Sequence, residues 1–115
     1  MNQINIFTDG GSRGNPGPSA VGAVIEIGGE KKKYGEFIGK ATNNEAEYAA
    51  LIFALKKTKQ LIGKNNTKGA KLRCVSDSEL MVKQLNGEYK LKDEKIQKNF
   101  IEIWNLKLDF GEISF

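Results

Sequence analysis

Apolar residues recur with the two-residue period of β-strands in the first third of the chain and with helical spacing beyond it. Ile4 and Ile6 alternate with polar neighbours over residues 3–8, and the Gly/Pro-rich stretch 10–18 follows. That pattern predicts a first strand ending at the glycines. Val21, Ala23, Val24, Ile25 and Ile27 predict a second strand, and Gly28-Gly29-Glu30 a tight turn. Lys31 to Ile38, with Tyr34, Phe37 and Ile38 as its apolar residues, is the antiparallel hairpin partner. A long helix is predicted from about Asn44 to Leu61, with Leu51, Ala54, Leu55 and Thr58 on one face and Ile62 beyond. Thr42-Asn43-Asn44-Glu45 opens it as a capping box, in which Thr42 bonds a backbone N–H and Glu45 reaches back.

Residues 63–69 read as a loop, Leu72 to Ser76 as a short buried strand, and Glu79 to Leu85 as a short helix ended by Asn86-Gly87. A last helix spans about Lys92 to Leu108, with Ile96, Phe100, Ile103, Trp104 and Leu108 on one side. The helical spacing of Trp104 from Phe100 and Leu108 places it in the core. Residues 111–115 look like the start of a fifth strand. The order predicts an α/β fold: a mixed five-stranded sheet, three antiparallel strands and then two parallel ones, flanked by helices.

A chain of 115 residues, 39% hydrophobic and 28% charged, suits one domain with a single core. No apolar run is long enough to cross a bilayer, and the first residues lack the basic and apolar regions of a signal peptide. The single cysteine, Cys74, has no internal partner and reads as a buried strand residue, which fits a reducing cytoplasm. The formal charge is +4. Its distribution says more than its size. Lys56, Lys57, Lys59, Lys64, Lys68, Lys71 and Arg73 follow one another with no acid between, and Lys31-Lys32-Lys33 forms a second cluster. Such runs are either solvated surface or a footprint for a polyanion.

Three acids stand at predicted junctions. Asp9 follows the first strand, Glu47 lies near the start of the long helix, and Asp77 ends Leu72-Arg73-Cys74-Val75-Ser76. Strand ends and first helical turns converge in α/β folds. Clustered carboxylates in a chain with no histidine point to hard divalent cations and, in a basic protein, to phosphate chemistry. Each acid also has a structural reading: Asp9 as a turn former, Asp77 as an N-cap, Glu47 as an acid favoured by the helix dipole. Glu45 and Glu79 read as structural acids of the same kind.

Three segments together carry a resemblance: Phe7-Thr8-Asp9-Gly10-Gly11-Ser12-Arg13-Gly14-Asn15-Pro16-Gly17, Ala41-Thr42-Asn43-Asn44-Glu45-Ala46-Glu47-Tyr48-Ala49-Ala50-Leu51 and Val75-Ser76-Asp77-Ser78-Glu79-Leu80. In order and spacing they resemble the signatures of ribonuclease H type I, in its compact archaeal-like branch without the basic insertion helix. The resemblance covers residues 3 to 115 and implies an RNase H-like fold. It implies cleavage of the RNA strand of RNA/DNA hybrids with two divalent ions, Mg²⁺ or Mn²⁺. Asp9, Glu47 and Asp77 are then the catalytic and metal-holding acids, with Asp9 bridging. Asn43 and Asn44 match the pair that reads the minor groove of the hybrid, with helix capping as the other reading of Asn43; Gly10 and Gly11 allow close approach to the RNA strand, and Arg13 either contacts phosphate or is solvated. The resemblance further implies a monomer.

The family continues past the fifth strand into a helix carrying a fourth carboxylate, and neither Asp109 nor Glu112 occupies the matching place. The expectation is therefore a domain over residues 1–115, C-terminally truncated, without the C-terminal helix and with its second metal site in question. An uncovered sheet face would favour a dimer or swap. The alternative function is a catalytically impaired module that binds RNA/DNA hybrid, or a fragment that needs the missing segment.

Overall fold

The computed structural model describes residues 3–115. Strand β1 (Gln3–Ser12) pairs antiparallel with β2 (Gly17–Ile27), and β2 pairs antiparallel with β3 (Glu30–Ala41). Helix α1 (Asn43–Ile62) follows, then a short 3-10 turn at Lys64–Asn66 and strand β4 (Lys71–Ser76). Helices α2 (Glu79–Leu85) and α3 (Glu94–Lys107) lead to β5 (Glu112–Ser114). β4 runs parallel to β1, β5 runs parallel to β4, and the strand order is β3-β2-β1-β4-β5. The mixed sheet with its helices is the expected one. No helix among the described residues is long and apolar enough to cross a membrane.

Alternation along the strands decides which face is covered. Ile4 and Ile6 of β1, Ala23 and Ile25 of β2 and Leu72 and Cys74 of β4 are buried, and they cluster with Tyr48, Leu51 and Leu55 of α1. Full burial of a Leu or Ile side chain stabilises by about 1.5–3 kcal/mol, so α1 contributes much of the core. The Tyr48 hydroxyl, inside that core, donates to Gln84 Oε1 of α2 at 2.8 Å. Burial raises the Tyr48 pKa to about 12. The capping box forms as the sequence predicts: Glu45 N–H donates to Thr42 Oγ1 at 3.1 Å, and Thr42 N–H donates to Glu45 Oε1 at 2.9 Å. Gly87, at φ +79°, turns the chain out of α2, a conformation glycine adopts without strain.

Three expectations are corrected. β1 does not stop before the glycines; it runs through Asp9 to Ser12, because Asp9 to Ser12 pair in register with Gly22 to Ser19. The two hairpin strands are longer than their apolar residues suggested, and Phe37 is 89% exposed on β3. Trp104 is not core. Helix α3 buries Ile96, Ile103 and Leu106, while Trp104 stays 49% and Leu108 71% exposed. Ile101, Trp104 and Leu108 form a second stripe at helical spacing, and periodicity cannot say which of two stripes meets the neighbouring helix. Trp104 is satisfied locally, stacked on Phe100 with ring centroids 5.9 Å apart and with Lys107 Nζ 4.7 Å from its ring centre.

Candidate functional site

The parallel register of β1 and β4 places Thr8 opposite Ser76, so that Asp9 and Asp77 are the next residues on two adjacent paths of the chain. Asp9 lies within β1, and Asp77 lies in the break between β4 and α2. Glu47 enters from α1, whose first turns lie directly on β1 at Gly10. A Cβ on Gly10 would stand 2.1 Å from the Ala46 carbonyl oxygen and 2.7 Å from the Glu47 nitrogen. Only glycine permits that approach of helix to strand. The role of Gly10 is thus visible as packing, whereas Gly11 has open space around it.

Asp77 does not cap α2. Ser78 does, with its hydroxyl accepting from Met81 N–H at 3.3 Å. Nor does Glu47 belong to the first turn of α1, where Glu45 is the acid. Among the described residues, none of Asp9, Glu47 and Asp77 forms an ion pair with a lysine or arginine. The structural readings of Asp77 and Glu47 therefore lose their support. The pKa of Glu47 is raised above the usual carboxylate value, first by desolvation and then by the charge of Asp9, with Asp77 adding a smaller push. Hydrogen bonding by Ser76 and the Gly10 backbone opposes this rise without cancelling it. Like charges from three elements are therefore held near one another, which is costly unless a cation neutralises them.

The donor set fits a hard divalent ion: all oxygen, all carboxylate, with no soft ligand beside it. As the side chains lie, no three His, Cys, Asp or Glu residues among those described converge tightly enough to enclose an ion unaided. An open set of this kind suits an ion that keeps waters and takes further oxygens from a phosphate.

Next to the acids, the glycine-rich segment is fastened to the start of α1. Ser12 N–H donates to Asn43 Oδ1 at 3.0 Å, and Asn43 N–H donates to Asn15 Oδ1 at 2.9 Å. Thr42, not Asn43, caps the helix. Because the Asn43 carbonyl oxygen is taken by Ser12, its amide NH₂ is the group left for a ligand. Asn44 Oδ1 is buried without a hydrogen-bond partner, a costly state for an acceptor. The Arg13 side chain is exposed and has no acidic partner among the described residues, and its backbone N–H is held by the Pro18 carbonyl at 2.8 Å.

The basic run is only partly available to a polyanion. Lys56 pairs with Glu102 at 2.8 Å, and Lys59 pairs with Asp109 at 2.7 Å. Lys57 Nζ lies 5.3 Å from the Tyr34 ring centre. Lys64, Lys68, Lys71 and Arg73 have no acidic partner among the described residues. Glu45 and Glu79 are structural as expected, the first in the capping box and the second paired with Lys83 at 2.7 Å.

Sequence reasoning missed Ser12, Asn15 and Ser76. The hydroxyl of Ser76 donates to Glu47 Oε2 at 3.3 Å. Nothing in linear spacing joins a residue of β4 to one of α1. The position of Ser76 immediately before Asp77 was the available signal.

Comparison with known proteins places this geometry. The profile of the RNase H family matches residues 1–112. Ribonuclease HI of Halobacterium salinarum is 38% identical over 114 residues, which is 97% of this chain and 54% of that protein. The chain thus spans about half the length of that curated relative. The crystal structure of LC11-RNase H1 in complex with an RNA/DNA hybrid superposes with a TM-score of 0.90 at 37% identity, over 97% of this chain and 82% of that one. RNase H1 from the halophilic archaeon Halobacterium salinarum NRC-1 superposes with a TM-score of 0.88 at 36% identity, over 98% and 83%.

Proposed function

The chain belongs to the RNase H family, and on that premise we propose that it is a divalent-metal-dependent endonuclease hydrolysing the RNA strand of RNA/DNA hybrids. One observation carries the reading most directly. Burial and, after it, the charges of Asp9 and Asp77 raise the pKa of Glu47, and no cationic side chain among the described residues pairs with any of the three acids. In this reading Asp9, Glu47 and Asp77 would hold Mg²⁺ or Mn²⁺, two ions by the resemblance to the family. Such ions supply an activated water at neutral pH and charge stabilisation for the leaving 3′-oxygen. The protein's part is to place the carboxylates, and the Gly10 contact with α1 does this for Glu47.

Substrate contacts lie beside the acids. Asn43 offers an amide NH₂ to acceptors in the minor groove of the hybrid. Asn44 beside it is the second member of the pair; its Oδ1 is buried, so its amide must turn outward to meet a ribose 2′-hydroxyl, the group that separates RNA from DNA. Gly11 permits close backbone approach, and Arg13 contacts phosphate. Lys64, Lys68, Lys71 and Arg73 add long-range attraction that weakens with salt. The crystal structure of LC11-RNase H1 with a hybrid supports this choice of ligand. The buried Cys74, its thiol pKa pushed up to about 12 by desolvation, suits a reducing compartment such as the cytoplasm.

The test is cleavage of an end-labelled RNA/DNA hybrid with Mg²⁺ or Mn²⁺, beside a chelated control and Asp9→Asn. The expected result is metal-dependent cutting that Asp9→Asn reduces by at least roughly 10²–10³-fold without loss of fold. Salt-sensitive binding with no cleavage would make this chain a hybrid-binding module. Cutting at the wild-type rate by Asp9→Asn would remove Asp9 from the metal site.

A further inference from the structure

We infer that Ser76 is a positioning residue: its hydroxyl holds the Glu47 carboxylate in the orientation that binds metal. The inference rests on the metal reading of Asp9, Glu47 and Asp77. Ser76 Oγ donates to Glu47 Oε2 at 3.3 Å and is the one side-chain hydrogen-bond donor to that carboxylate among the described residues. The direction of this bond is set from behind. Ser78 N–H donates to Ser76 Oγ at 3.1 Å, which occupies a lone pair of the hydroxyl and leaves its hydrogen for Glu47. Ser78 in turn caps α2 through Met81 N–H. A chain of bonds thus runs from the start of α2, through the last residue of β4, to a side chain of α1.

Ser76 is well placed to do this without touching substrate. It is opposite Thr8 in the parallel pair of β1 and β4, Thr8 preceding Asp9 and Ser76 preceding Asp77, and it is only partly exposed. Glu47 is the acid that most needs such help. It reaches the site on a long side chain from a helix, whereas Asp9 and Asp77 have short side chains attached to or beside the central strands. A free glutamate samples several rotamers, and ordering a long side chain costs up to about 1.5–2 kcal/mol. A fixed donor on one carboxylate oxygen removes part of that disorder before an ion arrives. Hydrogen bonds that orient metal ligands typically change affinity or activity 10–100-fold when removed.

The experiment measures Mn²⁺ binding to the folded protein by titration calorimetry without nucleic acid, for wild type, Ser76→Ala, Ser76→Cys, Ser76→Thr and Glu47→Gln. Thermal unfolding of each variant is followed in parallel. Ser76→Ala is expected to weaken Mn²⁺ binding roughly 10-fold or more, with Ser76→Cys, a poor donor of nearly the same size, close behind. Ser76→Thr keeps the hydroxyl and is expected to restore binding. In the hybrid assay kcat should fall in Ser76→Ala and Ser76→Cys while KM for the hybrid stays near wild type, a split that a general loss of fold would not produce. Wild-type Mn²⁺ affinity in both Ser76→Ala and Ser76→Cys, with Glu47→Gln impaired, overturns the role of Ser76 and leaves the metal site standing. Absence of Mn²⁺ binding by wild type, or full binding by Glu47→Gln, overturns the metal reading and the role of Ser76 with it.

Discussion

The two ends of helix α1 use charged side chains in opposite ways. At its far end Lys56 and Lys59 are matched by Glu102 and Asp109, at 2.8 and 2.7 Å, and the charges tie α1 to α3 and the segment after it. At its near end Glu47 meets Asp9 and Asp77, and among the described residues no lysine or arginine pairs with any of the three. The far end is complete as it stands. The near end carries charge that no side chain among the described residues neutralises, and beside it an acceptor, Asn44 Oδ1, without a hydrogen bond. Electrostatic strain retained at one end of a helix, while Lys56 and Lys59 at the other end are paired, is what supports the proposed site.

The largest effect on this contrast is expected from Gly10→Ala, which attacks the joint that creates the near end. The added methyl overlaps the Ala46 carbonyl, so α1 must move off β1. The expected cost is about 3 kcal/mol in urea unfolding, at the upper end for overpacking, together with loss of metal binding as Glu47 shifts. Stability equal to wild type would mean that the helix does not rest on this strand.

Glu47→Gln comes next, and its sign runs opposite to an ordinary mutation. A carboxyl whose folded pKa is raised holds more protons folded than unfolded between its two pKa values. Stability therefore falls as pH rises through that window, and the full penalty is present above the folded pKa. Glu47→Gln should thus be more stable than wild type at pH 7, with the gain vanishing below the ordinary glutamate pKa of 4.5. After allowance for solvent screening the gain is under about 1 kcal/mol. Denaturant unfolding against pH measures it, and added Mn²⁺ should stabilise wild type more than the variant.

The smallest effect belongs to the paired end. Lys59→Ala removes a partly exposed ion pair and should cost under about 1 kcal/mol, with cleavage of the hybrid unchanged. A large loss of activity from Lys59→Ala would abolish the distinction between the two ends.

Much of this was legible along the chain because it is local. The capping box at Thr42 and Glu45, the turn at Gly87 and the alternation of Ile4 with Ile6 are written within a few residues of each other. The three acids could be picked out because their segments keep a recognisable order. Other features were not legible because they depend on which surfaces meet. Trp104 looks like core by spacing, yet it stays half exposed against Phe100 and Lys107 of its own helix. Lys56 and Lys59 look like a free basic patch until α3 and the segment after it bring Glu102 and Asp109 beside them. Ser12 and Asn15 look like loop filler until their bonds to Asn43 fasten the glycine-rich strand to the helix.

The order of strands and helices, the buried face of β1 and the choice of three candidate carboxylates follow from the residues alone, since propensity, period and motif act over short distances. Their proximity does not. It depends on the parallel register of Thr8 with Ser76 and on the bare backbone contact between Gly10 and Ala46. Electrostatic strain at Glu47 and the hydroxyl that steadies it arise only when β1, β4 and α1 pack together, because each needs atoms from elements far apart in the chain.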